Sequence, residues 1–298
     1  MRSVLRSALA LAAPVLLTCQ AVGSSSGYSL GLNLAADEPN SAGTGRLAAT
    51  AVAGVDAVKQ ANWNNLELAA GTAANVVADN LGAAATTSAI VEWSCPNTWS
   101  STGRGEENNG FTAGSPDHTL MTGYLDTGDP STTTVTITGL PAQLTSGYDV
   151  YLYMLGGTGG NRGGGYRIMD TGGAVLRDYL VGDAPVSPTT WVRDAGLSHT
   201  DKGNYLVFRG LTAANIVVEA TTEAPNGMVR APLNAIQLVA ATLDKTAPSA
   251  PANVASVLTG ANLVSLKWDA ATDNSGSVHY YEIERGGVLI AKTVGHHL

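Results

Sequence analysis

Apolar and polar residues alternate in short runs along most of the chain, and clusters of Gly, Asn, Asp and Thr interrupt the runs. Alternation sends successive side chains to opposite faces of an extended backbone, so the pattern predicts many short strands joined by turns. Tyr28, Leu30, Leu32 and Leu34 line one face of a first strand, and Val91, Trp93 and Cys95 share a face further on. Cys95 there reads as a buried apolar thiol rather than a nucleophile. Over 132–138, Val135 and Ile137 alternate with threonines, which suits a half-exposed sheet surface. Over 148–155, Tyr148, Val150, Leu152 and Met154 alternate with Asp149, Tyr151, Tyr153 and Leu155. Both faces are largely apolar or aromatic, which fits a central strand buried on two sides or one lining a groove. Further strands are expected at 166–170, 175–181, 205–209, 216–221 and 233–240, and one helical turn at 120–125. No segment sustains a helical period. About ten strands over 27–241 without a βαβ rhythm predict an all-β fold, an antiparallel jelly-roll-type β-sandwich.

The two ends of the chain read differently. Arg2 and Arg6 precede a short apolar run over 8–17, and small residues follow, as Cys19-Gln20-Ala21 and Ala21-Val22-Gly23. A charged start, a run too short to span a bilayer and a small-residue exit predict a secretory leader over 1–23. Leu16-Leu17-Thr18-Cys19 is also a poor match to a lipid-attachment box, with Thr before the cysteine. Losing the leader removes Arg2 and Arg6 and no acidic residue, so the formal charge moves from −8 to −10. An acidic chain suits neither nucleic acid nor an anionic membrane surface, and no transmembrane segment is expected. It would also leave Cys95 without an intramolecular partner, so stability must come from a sizeable core. Pro248 and Pro251 lie in a small, polar stretch that predicts a stiff linker over 242–251.

Beyond the linker, Leu263-Val264-Ser265-Leu266-Lys267-Trp268-Asp269 is followed by Thr272-Asp273-Asn274 and then by Tyr281-Glu282-Ile283-Glu284-Arg285-Gly286. This spacing resembles the core-tryptophan strand, turn and hairpin of a bacterial fibronectin type III domain. The likeness runs over 246–298, about half of the roughly 100 residues that close such a sandwich. It implies an incomplete immunoglobulin-like (fibronectin type III-like) sandwich over 252–298, and a chain that is a fragment of a longer protein. In the larger domain, Pro232-Leu233-Asn234-Ala235-Ile236-Gln237-Leu238 is similar to the closing strand of malectin-like and galactose-binding-like domains. Gly203-Asn204-Tyr205-Leu206-Val207-Phe208 fits the strand before it. That resemblance implies carbohydrate binding, often with a structural calcium ion; fold-level likeness alone does not set function.

Candidate chemistry follows from the aromatics. Trp63 with Asn64 and Asn65, and Trp99 in Pro96-Asn97-Thr98-Trp99-Ser100, sit among turn-forming polar residues. A sugar site needs such rings for the C–H face of a pyranose and amides or arginines for its hydroxyls. Trp191, Tyr166 and Arg162, in the glycine-rich stretch 156–165, complete the candidate ligand-binding set. Taken singly, each ring also suits a plug at the end of the sandwich, the commoner use. Asp37-Glu38 and Asp126-Thr127-Gly128-Asp129 are the best oxygen-donor groups, yet neither makes a recognisable calcium loop. His118, His199, His279, His296 and His297 form no metal-binding pair, there is no Gly-x-Ser-x-Gly elbow, and the glycine stretch lacks the lysine of a phosphate loop. Glu92 and Glu219 are the mildest of catalytic candidates and read as outward solubilising residues. The sequence thus predicts a secreted, non-catalytic carbohydrate-binding module that requires no cofactor, with polysaccharide or glycan as partner. A structural or adhesive surface module, or the N-terminal portion of a glycan-degrading hydrolase, are the alternatives.

Overall fold

The structure is a computed structural model, and it describes residues 15–21, 25–39, 44–158, 162–224, 229–241, 249–259, 264–272, 278–285 and 288–293. Its elements begin with β1 (Val15–Ala21), β2 (Ser25–Asn33), β3 (Asn64–Asn65) and β4 (Ala70–Ala74). Next come β5 (Val77–Asn80), β6 (Ala83–Thr86), β7 (Ile90–Ser94), β8 (Thr98–Ser100), α1 (Pro116–Leu120) and β9 (Gly123–Leu125). They continue with β10 (Thr132–Thr138), α2 (Ala142–Thr145), β11 (Tyr148–Tyr153), β12 (Gly164–Met169) and β13 (Val175–Gly182). The larger unit ends with β14 (Tyr205–Leu211), β15 (Ile216–Thr221) and β16 (Ala235–Ala241). The last strands are β17 (Ala252–Thr259), β18 (Val264–Asp269), β19 (Val278–Arg285) and β20 (Val288–Thr293). The chain divides into two compact units, Gly23–Leu243 and the pair Met1–Val22 with Asp244–Leu298.

The larger unit is an antiparallel β-sandwich. Sheet I has the order β13-β12-β15-β10-β7-β4, and sheet II the order β14-β11-β16-β2-β5-β6, with β3 added parallel to β2. Consecutive strands are seldom neighbours, because the chain crosses repeatedly from one sheet to the other, as the expected jelly-roll arrangement requires. The inner faces meet in one core. Leu30 and Leu32 of β2, Val150 and Leu152 of β11 and Leu238 of β16 pack against Val91, Val135, Ile137, Ile168 and Val218 of sheet I. These are the residues that alternation assigns to one face, and burying them removes apolar surface from water at about 25 cal/mol per Å².

The two outer faces differ. In β10 every second residue is buried, and the threonines between them stay half-exposed on the outside of sheet I. In β11 all six residues are buried. A second core explains this. Tyr151 and Tyr153 of β11, Val207 of β14, and Ala235 and Val239 of β16 point outward from sheet II and pack under Leu47, Ala53, Val55, Trp63, Phe111, Leu120 and Met121. The covering layer is therefore built from the long connection 44–63 and from α1 with its flanks. Of the two environments open for 148–155, the structure shows a strand buried on both sides.

The helical turn expected at 120–125 lies earlier, at α1. Ser115 caps it by accepting the His118 amide hydrogen (3.1 Å), and Pro116 opens it, while residues 123–125 pair with β8 instead. In the smaller unit, β17 pairs with β18, and β1, β19 and β20 form a three-stranded sheet. Trp268, Ala271, Tyr281 and Ile283 make its core, with Trp268 edge-on to Tyr281 at 5.4 Å. The expected core role of Trp268 agrees with its burial. Val15–Ala21, inside the segment expected as a leader, forms β1 along β19. Residues 1–14, the linker residues 242–248, the Asp273-Asn274 turn, the loop positions Gly159, Gly160 and Asn161, and His296-His297 lie outside the described residues. Among the described residues no helix is long and apolar enough to cross a membrane.

Candidate functional site

The covering layer of sheet II takes four of the candidate ligand residues, and the inner core takes a fifth. Trp63 is 4% exposed; its indole N–H donates to the Gln60 carbonyl (3.0 Å) and its ring meets Tyr153 edge-on at 6.1 Å. Its neighbour Gly31 has no side chain because there is no room: a Cβ there would stand 2.5 Å from the indole. Asn64 spends its amide on Gly31 and Val77, with bonds of 2.7–2.9 Å. Asn65 is held by Leu47 and Asn33 at 2.8–2.9 Å. Trp191 is half-buried between Phe111 (4.6 Å) and Tyr153 (5.0 Å). Tyr166 is fully buried in the inner core, its hydroxyl on the Pro232 carbonyl (2.8 Å). Trp63 and Tyr166 are thus structural, and the expectation that their rings contact a ligand is corrected, because a ring needs an open face to stack on a sugar. Asn64 and Asn65 are half-exposed and hold the connection to β2 and to Val77.

Two candidates remain at the surface, at one end of the sandwich. Trp99 in β8 pairs across from Tyr124 in β9. The Arg104 guanidinium lies 3.8 Å from the centre of the Trp99 ring, and Glu38 fixes Arg104 by an ion pair of 2.7 Å. One face of Trp99 is therefore already occupied by a cation. Arg162 reaches Glu106 at 4.0 Å, and Glu106 also accepts the Thr158 amide hydrogen (2.9 Å). The Tyr124 hydroxyl feels Asp126, Glu106, Arg162 and Arg230, but burial is the main cause of its raised pKa.

Arg162 lines a cleft of about 250 Å³. One wall is Gly156, Gly157 and Thr158; the other is Asp183, Ala184, Pro185 and Val186, with Lys202 ion-paired to Asp183. Asn108, only 2% exposed, ties the walls together: its N–H₂ donates to the Gly156 carbonyl (2.9 Å) and its oxygen accepts the Ser187 amide hydrogen (2.7 Å). Sequence reading missed Asn108, Asp183 and Lys202. A signal for the first exists in the run Arg104-Gly105-Glu106-Glu107-Asn108-Asn109, dense in polar groups for a chain only 13% charged. Val186, 70% exposed, gives the cleft an apolar lip. Cations, carboxylates and backbone amides beside an apolar lip suit a small, polar, many-hydroxyl ligand.

Below this wall lies Asp194, 1% exposed, which accepts the amide hydrogens of Asp183 (3.1 Å) and Gly196 (2.8 Å). Burial outweighs these bonds and pushes its pKa up to about 7. Burial likewise raises the Cys95 thiol, which accepts a hydrogen bond from Thr133 (2.9 Å). Glu219 faces outward from sheet I but is not a solvated residue there: it is buried, bound by Arg167 (2.7 Å) and by the Tyr179 hydroxyl (2.5 Å). Glu92 is exposed. The oxygen-donor groups, read from the sequence as solvated turns, are engaged with protein donors. Asp37 accepts the Leu68 amide hydrogen, Glu38 takes Thr98 and Arg104, and Asp126 pairs with Arg230.

No protein-family model matches the chain, and no solved structure matches it. One stretch of 130 residues is 34% identical to Exoglucanase B of Cellulomonas fimi. It covers 42% of this chain and 11% of that protein, so the likeness extends over about a tenth of the relative's length.

Proposed function

We propose that this chain is a secreted, non-catalytic accessory module that holds a neutral glycan in the cleft between 156–158 and 183–186. The observation that carries the reading is the likeness to a short part of an exoglucanase, which points to a glycan-handling protein. The cleft supports the place. Arg162, Lys202 and Asp183 offer hydrogen bonds to hydroxyls, Val186 offers an apolar contact, and Asn108 holds the walls at fixed spacing. Trp99 stands at the same end as an accessory ring. The basic start followed by an apolar run supports export.

The test is binding of the full chain to a panel of soluble and insoluble glycans, with product release followed in parallel. Retention on one glycan, weakened by Arg162→Ala and by Lys202→Ala and without release of sugar, is the expected result. A second reading, a structural or adhesive module, is favoured by the burial of Trp63 and Tyr166, which removes two expected platforms. Retention on no glycan selects it.

A further inference from the structure

The cleft occupies one end of the sandwich and leaves a larger feature without a role. The outer face of sheet II is roofed by a second core, whereas the outer face of sheet I is open. The strand registers place its outward side chains in rows. Ala70, Ser94, Thr134, Glu219 and Arg167 form one row, and Thr72, Glu92, Thr136, Val217 and Met169 the next. Ala74, Ile90 and Thr138 form a third. Neighbouring strands stand about 4.8 Å apart, and outward residues repeat about every 6.8 Å along a strand, so this is a regular lattice of hydroxyls and methyls. The hydroxyls of Thr72, Ser94, Thr134 and Thr136 take no protein partner among the described residues, whereas Thr132 and Thr221 bind each other (2.8 Å).

Charge narrows what this face accepts. Arg167 and Glu219 neutralise each other at 2.7 Å, and the Arg167 guanidinium stacks on the Tyr179 ring at 4.6 Å. Among the described residues of these rows, Glu92 is then the one charge without an ion-pair partner. A face without free cations repels rather than attracts an anionic polymer. Free hydroxyls, which both donate and accept, together with methyl groups and no net positive charge, complement a neutral polymer rich in hydroxyls.

We infer that the open face of sheet I is a second contact surface, on which an extended neutral polysaccharide chain lies across the threonine rows. This rests on the glycan reading of the cleft but uses different residues, so the two can be separated. The experiment compares the full chain with Thr134→Lys/Thr136→Lys, with Thr72→Ala/Thr134→Ala/Thr136→Ala, and with Arg162→Ala. The probes are microcrystalline cellulose, which presents extended chains, and cellohexaose, a soluble oligomer that can place one end in the cleft. Thermal melting verifies folding; the alanine variant adds no bulk and keeps the test sound if the lysine variant misfolds.

The expected result is a drop of about tenfold in cellulose affinity for the lysine variant and a smaller drop for the alanine variant. Cellohexaose binding is unchanged in both and falls in Arg162→Ala. Parent-like cellulose binding by the alanine and lysine variants overturns the inference while leaving the cleft intact. Absence of binding by the parent chain to both probes overturns the glycan reading and this inference with it. A dimer of the parent chain that the lysine variant abolishes, with cellulose binding unaltered, reassigns the face to self-association.

Discussion

Strands β10 and β11 are alike in length and both paired on two sides, yet they stand in opposite surroundings. β10 keeps threonine at every outward position, and its face of sheet I is bare. β11 carries Tyr151 and Tyr153 outward, and its face of sheet II is roofed by 44–63, α1 and the segment around Trp191. An outward aromatic costs free energy in water and gains it under a roof, while an outward threonine is indifferent to a roof but suits solvent and hydroxylic ligands. The roof thus supplies stability and the bare face contributes almost none, which leaves the bare face free for contact.

The sharpest way to break this contrast is Trp63→Ala. It removes the ring that joins the connection 44–63 to Tyr153, and it should cost about 3–5 kcal/mol in urea unfolding. A cost below about 1 kcal/mol would mean that the roof is not a core at all. Asn234→Ala comes next. Its buried amide accepts the Leu155 N–H (2.6 Å) and donates to the carbonyls of Met121 (3.1 Å) and Gly123 (2.9 Å), tying the roof to β16. Leaving these groups unpaired should cost about 1–3 kcal/mol by the same measurement. Gly31→Ala should cost a similar 1–3 kcal/mol, about the range for overpacking, because the new methyl meets Trp63 and Gln60 from below.

The segment that lies along β14 also gives the covered side a pH response. An unfolded aspartate titrates near 3.9, roughly, whereas burial holds Asp194 at about 7. The folded state therefore keeps a proton that the unfolded state releases. The stability this contributes is fully present below about pH 4 and is lost as pH rises through about 7. Asp117 and Asp149, also raised by burial, act in the same direction. Melting temperature should fall across this window, and Asp194→Asn should flatten the fall. Thr136→Ala on the bare face closes the series at the small end. Its change should lie within about 0.5 kcal/mol, read from the same urea curves.

Much of the contrast was legible in the sequence. Strict alternation at 132–138 announced a half-exposed sheet, and two apolar faces at 148–155 left a strand buried on both sides or a groove as the choices. What covers the buried sheet was not legible, because 44–63 and 111–121 lack period and their aromatics are few. Trp63 and the two asparagines after it look like a sugar site when read locally. They became structural because Asn64 and Asn65 bond backbone that is distant in sequence. Strands β4, β5 and β6 escaped notice since Ala, Gly and Thr give little apolar contrast. Arg162 was found by its place in the glycine stretch. Its opposite wall, Asp183 with Lys202, lies some twenty to forty residues further on, and only the fold brings it across.

The most direct test of the account is hydrogen exchange on the full chain with and without soluble cellohexaose. Added protection concentrated at 104–110, 156–158 and 183–186, and absent in Arg162→Ala, is the predicted result. Protection at the Trp63 connection instead, or none anywhere while the chain is still retained on a glycan, would contradict the cleft as the site of contact.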